Sequence, residues 1–226
     1  SSRMTVSETV STIQTRTRDD GLFGTSRNGN LKDTVQDLKN LSPAERGEAL
    51  SKFTDDDLKE IAKDVNANGI FGASGLSNDE KRDLFNTMAG GASGKDLARL
   101  ASAFDGREDT QLLAESVASK GSNEAKQAYI QEMSSRTTDN DSGFSAYIGG
   151  ASTDNSDKDA KAVLTVLNSF DTATPEGRAA FDQAVKDMPQ DALDSVAKAG
   201  VNETTFTSTG AGAAHISVSY KTDGLN

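Results

Sequence analysis

The chain keeps returning to one pattern: a hydroxyl-bearing cap, an apolar run at helical spacing, a break, and a second apolar run. Residues 42–65 read SPAERGEALSKFTDDDLKEIAKDV, and residues 174–199 read TPEGRAAFDQAVKDMPQDALDSVAKA in the same order. Between them, SNDEKRDLFNTM from Ser77 lines up with SNEAKQAYIQEM from Ser122, sharing the Ser-Asn start and the Lys and Met positions. A shorter element, DDGLFG at 19–24 and ANGIFG at 67–72, precedes two of these units. Self-similarity with variable loops is the trace that stacked helix pairs leave in a sequence, because each pair buries its apolar face only against a neighbour.

Local chemistry says where the helices start. Ser42 with Glu45, Thr54 with Asp57, and Ser77 with Glu80 are spaced as capping boxes, in which the hydroxyl and the carboxylate satisfy each other's exposed amides. Pro43, Pro175 and Pro189 stand where a first helical residue is expected, a place where the missing N–H costs nothing. The apolar residues then recur at helical intervals: Leu50 and Phe53; Leu58, Ile61 and Val65; Leu84, Phe85 and Met88; Leu97, Leu100 and Phe104. Leu112, Leu113 and Val117, then Tyr129, Ile130 and Met133, Val163, Leu167 and Phe170, and Phe181, Val185 and Met188 continue the series. Phe53, Leu84, Phe85 and Phe104 are the expected centre of the core. Gly90-Gly91, Gly149-Gly150 and Asp105-Gly106 punctuate the helices.

The period changes at the end of the chain. TTFTST at 204–209 and HISVSY at 215–220 alternate in strand fashion around a Gly-Ala run, which predicts a β-hairpin. The fold class expected is therefore all-α, built from loose helix-pair repeats, with a short C-terminal hairpin. The Ser/Thr-rich residues 1–18 carry no apolar core of signal-peptide type and are expected to be a flexible lead-in. Residues 19–200 are expected to form the helical repeat domain, and 201–226 a hairpin tail or the junction to a further domain.

Charge and composition narrow the function. Thirty-five acids against 24 bases give a net charge of -11 and a pI near 4.6. Such a chain lacks the basic surface that binding to nucleic acid or to an anionic membrane face requires. No apolar run is long enough to span a bilayer. With no cysteine and a single histidine, His215, thiol catalysis, Cys-based zinc sites and most nucleophile–base pairs are removed together.

Three chemistries stay open to inspection. Asp64, Asn66 and Asn68 with Gly69 occupy the first, third, fifth and sixth places of an EF-hand calcium loop, with Phe71 at the eighth. The twelfth place is Gly75, where a bidentate Glu belongs. The competing reading is a helix end followed by an Asn-Gly turn. A serine hydrolase would rest on His215 alone, and no G-x-S-x-G elbow is present. A glycan hydrolase needs two carboxylates flanking a cleft, and so acidic a chain always offers pairs.

The segments FTDDDLKEIAKDV, LSNDEKRDLFNTMAGGASGKDLARLASAF and SSRTTDND with the downstream GGASTDNSDKDAKAVLTVLNSF resemble helical modules of large secreted bacterial proteins of the effector and polymorphic-toxin kind. The resemblance spans about residues 40–200. It implies a non-enzymatic delivery or interaction module, secreted without a cleavable signal, whose partner is a protein: a secretion component, a chaperone or an adjacent toxin domain. It brings no catalytic residue and no cofactor. The alternatives are a carboxylate-based peptidoglycan hydrolase and a calcium-stabilised helical binding domain.

Overall fold

A computed structural model describes residues 3–18, 26–70, 73–135 and 158–199, together with the backbone of 205–208 and 216–219. The regular structure within the first four of these ranges is entirely helical. The chain divides into two compact units, residues 1–105 and 106–226. The 19–200 span expected as the helical repeat domain runs across both units, which meet in the chain between Asp105 and Gly106. The expected C-terminal hairpin falls largely outside the described residues.

The first unit holds α1 (Val6–Arg18), α2 (Arg27–Lys39), α3 (Pro43–Lys52), α4 (Asp55–Val65), α5 (Asn78–Ala89) and α6 (Gly94–Ala103). Helix α1 packs on α2, α3 and α4; α2 reaches α4 and α5; α3 rests on α5, and α4 on α6. The three capping boxes read from the sequence are all formed, at Ser42/Glu45, Thr54/Asp57 and Ser77/Glu80. Phe53, Leu84, Phe85 and Phe104 are all buried, as expected.

Helix α1 corrects the flexible lead-in. Thr5 and Glu8 form a fourth capping box, the Thr5 N–H donating to Glu8 at 3.1 Å and the Glu8 N–H to Thr5 Oγ1 at 3.1 Å. Val6, Val10 and Ile13 lie on one buried face. Two side chains then fasten the helix to its neighbours: Arg16 pairs with Asp37 of α2 at 2.8 Å, and Gln14 donates to Asp57, the capping-box carboxylate of α4, at 2.8 Å. Few apolar residues suffice here because polar groups complete the attachment.

Gly90-Gly91 does more than mark a turn. A Cβ on Gly91 would lie 1.7 Å from the Pro43 carbonyl oxygen, and one on Gly47 would lie 2.1 Å from the Gly91 oxygen. The turn after α5 thus lies directly against the backbone of α3, an approach only glycine allows.

The second unit holds α7 (Arg107–Lys120), α8 (Asn123–Ser135), α9 (Lys158–Leu167), α10 (Pro175–Asp187) and α11 (Gln190–Ala199). Helix α9 is central. It packs on α7, α8 and α11, while α10 lies on α8. Ala160, Ala162, Val163, Leu164, Val166 and Leu167 are buried almost all round it, the pattern of a helix enclosed by others.

The sequence repeat has a physical counterpart inside each unit. The α3–α4 and α10–α11 pairs both turn through one buried, extended apolar residue: Phe53 at φ -68°, ψ 136° and Met188 at φ -75°, ψ 134°. Buried Leu50, Phe53, Leu58 and Ile61 recur at the same spacing as Val185, Met188, Leu193 and Val196. The shared lysine of the Ser77 and Ser122 segments is buried in both. Lys81 Nζ donates to Oδ1 of Asn66, the C-terminal cap of α4, at 2.7 Å. Lys126 Nζ donates to the Ser169 carbonyl just beyond α9 at 3.3 Å and lies 5.4 Å from the Phe170 ring centre. Each ammonium thus meets the electronegative end of a neighbouring helix. Burial pushes the Lys126 ammonium below its usual pKa.

The capping carboxylates should make the first unit acid-sensitive. Hydrogen bonds from Thr5 hold Glu8 low, and those from Ser42 hold Glu45 low. Burial alone would raise Asp57, but bonds from Gln14 and Thr54 outweigh it; Glu80 is held down chiefly by the Ser77 amide. A carboxylate depressed in the folded state contributes stability above its unfolded pKa, 4.5 for Glu and 3.8 for Asp, and loses it as pH falls through the lowered folded value. The urea midpoint should therefore hold from neutrality to about the unfolded Glu value and fall below it. The triple variant Glu45→Gln, Asp57→Asn, Glu80→Gln should flatten that fall. An equally steep acid limb in the variant would show that the caps are not its source.

Candidate functional site

The residues proposed for calcium end a helix. Asp64 lies in the last turn of α4, with Oδ1 3.7 Å from Arg27 Nε. Asn66 caps α4, its Nδ2 donating to the Ala62 carbonyl at 3.0 Å while Oδ1 accepts from Lys81. Asn68 is exposed. The chain then folds back on the helix end: the Gly75 N–H donates to the Ala67 carbonyl at 2.8 Å, and the Leu76 N–H to the Val65 carbonyl at 2.9 Å. A Cβ at Gly75 would lie 1.9 Å from the Val65 oxygen, so the twelfth loop position has no room for the Glu that calcium needs. Arg27 and Asn28 of α2 pin the returning segment through the Ala73 and Gly75 carbonyls.

Two of the three expected ligand oxygens thus face cationic side chains at the end of α4, the geometry of the helix stop that competes with the calcium reading. Millimolar calcium should leave the melting temperature unchanged. Micromolar binding in a titration, abolished by Asp64→Ala, would restore the metal site. Among the described residues no group of three or more His, Asp or Glu side chains is gathered for a metal. His215 lies outside the described residues.

A different cluster stands out in the second unit. Arg107 and Gln111 of α7, with Lys158, Lys161 and Thr165 of α9, line an open groove of about 230 Å³. Lys158, Lys161 and Thr165 fall on one face by their spacing, the strip that the otherwise enclosed α9 leaves accessible. Gln111 Nε2 donates to Thr165 Oγ1 at 3.1 Å, fixing the floor, and Lys158 Nζ is 3.2 Å from Asp159 Oδ1. Arg107 and Lys158 are the first residues of their helices, so the groove opens at the positive ends of both.

The charge context makes this cluster notable. Residues 106–226 carry ten Lys and Arg against eighteen Asp and Glu, whereas residues 1–105 carry fourteen against seventeen. Three of the ten bases of the more acidic unit meet at one groove. Sequence reasoning missed it because the two helices are far apart in the chain. The available signal was Lys161 and Thr165, polar interruptions of an otherwise apolar helix.

With fold and groove described, the class can be stated: two compact units, helical throughout the described residues 3–199, the second bearing a basic groove. No family model matches the chain, and no curated protein and no solved structure matches it either. Among the described residues no helix is long and apolar enough to cross a membrane.

Proposed function

We propose that the chain is a non-enzymatic helical delivery and interaction module of a secreted bacterial effector or toxin. The observation that carries this reading is the use made of its acids. Glu8, Glu45, Asp57 and Glu80 cap helices, Asp55 and Asp96 hold Arg99, and Asp37 holds Arg16. A glycan hydrolase needs one carboxyl raised toward neutrality to act as an acid. Among the described residues, the carboxyl groups whose pKa is displaced, Glu8, Glu45, Asp57 and Glu80, are all lowered. Helix-holding carboxylates support a scaffold that presents surfaces.

The partner in this proposal is a protein: a secretion component, a chaperone or an adjacent toxin domain. The C-terminal tail belongs to the same proposal as a hairpin, its segments Thr205–Ser208 and Ile216–Ser219 running antiparallel with Phe206 opposite Val218. A two-stranded hairpin is marginal alone, so a sheet edge on the partner is its natural complement. The setting rests on the resemblance of the helical segments.

Two measurements test the reading. Purified sacculi incubated with the chain should release no soluble muropeptides; release that is lost on substituting a single Asp or Glu would make the protein an enzyme. In the bacterium that makes it, in-frame deletion of residues 26–199 should block export of the polypeptide while leaving its synthesis unchanged. Export at the wild-type level would refute delivery.

A further inference from the structure

We propose that Asn68 is a site of spontaneous deamidation, a covalent change that the fold directs to one of the chain's two Asn-Gly pairs. Those pairs stand at 28–29 and 68–69. In such a pair the main-chain nitrogen of the glycine, once its proton has passed to solvent base, attacks the side-chain carbonyl carbon of the asparagine. The N–Cγ bond forms, the Cγ–Nδ2 bond breaks and ammonia leaves, giving a five-membered imide. Water then opens the ring at either carbonyl and yields aspartate or isoaspartate, with no change of oxidation state. Glycine favours the attack because no Cβ shields its nitrogen or restricts the backbone rotation that brings the two atoms together.

The fold treats the two pairs oppositely. Asn28 and Gly29 lie in the first turn of α2, where helical dihedrals fix the backbone. Both reacting groups are also engaged there. The Gly29 N–H donates to Ser26 Oγ at 3.0 Å, and Asn28 Nδ2 donates to the Gly75 carbonyl at 2.9 Å and to Glu80 Oε1 at 3.3 Å. Asn68 instead follows the end of α4 in irregular backbone and is exposed. Among the described residues, no hydrogen bond holds the Asn68 side chain or the Gly69 N–H. Water and base therefore reach both reacting groups at Asn68, whereas Asn28 reacts only after the start of α2 opens. Each event adds one negative charge beside α4, and the isoaspartyl product also lengthens the main chain by one carbon.

The site is independent of the delivery reading and is tested on the full chain. The folded protein is incubated in mildly alkaline buffer, digested at low pH and mapped by mass spectrometry. The peptide holding Asn68 should gain one mass unit and separate into aspartyl and isoaspartyl forms. The peptide holding Asn28 should react about tenfold more slowly, or slower still, because local opening enters its rate as a penalty. In concentrated urea the two should react at similar rates, which assigns the difference to the fold. Asn68→Gln, whose longer side chain closes the ring far more slowly, should remove the modification from the folded chain while its circular dichroism matches the parent's. An Asn68 that stays intact in the folded chain, an Asn28 that reacts there as fast as Asn68, or the same gap persisting in urea would overturn the assignment.

Discussion

Phe85→Ala is expected to lower the stability of the first unit by about 3–5 kcal/mol, the range for truncating a buried phenylalanine. Phe85 has no exposed surface, and its ring meets Phe104 edge-on at 4.9 Å between centres and 83° between planes. Such a pair contributes about 0.5–1.5 kcal/mol beyond the area it buries. Phe104 closes α6, where its N–H donates to the Leu100 carbonyl, so a void beside it also loosens a helix end. Leu84 and Met88 are equally enclosed on α5 and leave little freedom for collapse around the gap. Domains are held by about 5–15 kcal/mol, so the variant should leave the first unit close to unfolding at ambient temperature. Urea unfolding followed by circular dichroism measures the loss, and hydrogen exchange locates it in residues 3–105. Phe85→Leu should lose less, because it leaves a smaller cavity. A Phe85→Ala midpoint equal to the parent's would mean that the α5 face has been assigned to the wrong side.

The positions of those phenylalanines were legible because helical spacing and caps are local signals. A hydroxyl three residues before a carboxylate specifies its own helix start wherever it occurs. The same rule written at Thr5 and Glu8 went unread, since the surrounding Ser and Thr suggested a flexible leader. Val6, Val10 and Ile13 carried the helical spacing there too, but three apolar residues do not reveal that Arg16 and Gln14 supply the remaining contacts. The division at Asp105 was hidden for a related reason. The Ser77 and Ser122 segments echo each other across it, so the repeat reads as continuous.

The calcium and helix-stop readings of the 64–69 loop rest on shared chemistry. Asp, Asn and Gly on alternate positions suit a hard cation, and they equally suit a helix end followed by a backbone reversal. What separates the two lies outside the loop: Lys81 on α5, Arg27 on α2, and the Val65 carbonyl that occupies the space of a Gly75 side chain. The basic groove is harder still to read, because Arg107 and Lys161 meet only through packing of α7 on α9. Local rules show where helices begin and which face is apolar. They do not show which polar side chains the packing brings together.

Arg99 illustrates this limit, and its removal is the second large effect expected. The side chain was not conspicuous in the sequence, yet it joins three elements. Its Nε donates to Asp55 at 2.8 Å in the first turn of α4, and Nη1 donates to Asp96 at 2.9 Å on its own helix. Nη1 also reaches the Leu50 carbonyl at 3.3 Å, and Nη2 the Phe53 carbonyl, two acceptors at the end of α3. Burial disfavours the Arg99 charge, but the two aspartates outweigh burial and hold the guanidinium protonated. Replacing it with alanine strips two carbonyls and leaves Asp96, a largely buried carboxylate, without its cation. Breaking a fully buried pair costs about 3–5 kcal/mol, and about 2–3 kcal/mol is expected here because water can partly replace the lost charge. The side chain is 21% exposed, which is the basis for that discount. Lysine should recover only part of the loss, since one ammonium cannot span the α3 carbonyls and both aspartates as the planar fork does. In the double variant Arg99→Met, Asp96→Leu no buried charge is left unpaired, since Asp55 is exposed to water, and stability should rise above that of Arg99→Ala. An Arg99→Ala protein as stable as the parent would show that the α3–α4 junction holds through Phe53 packing alone.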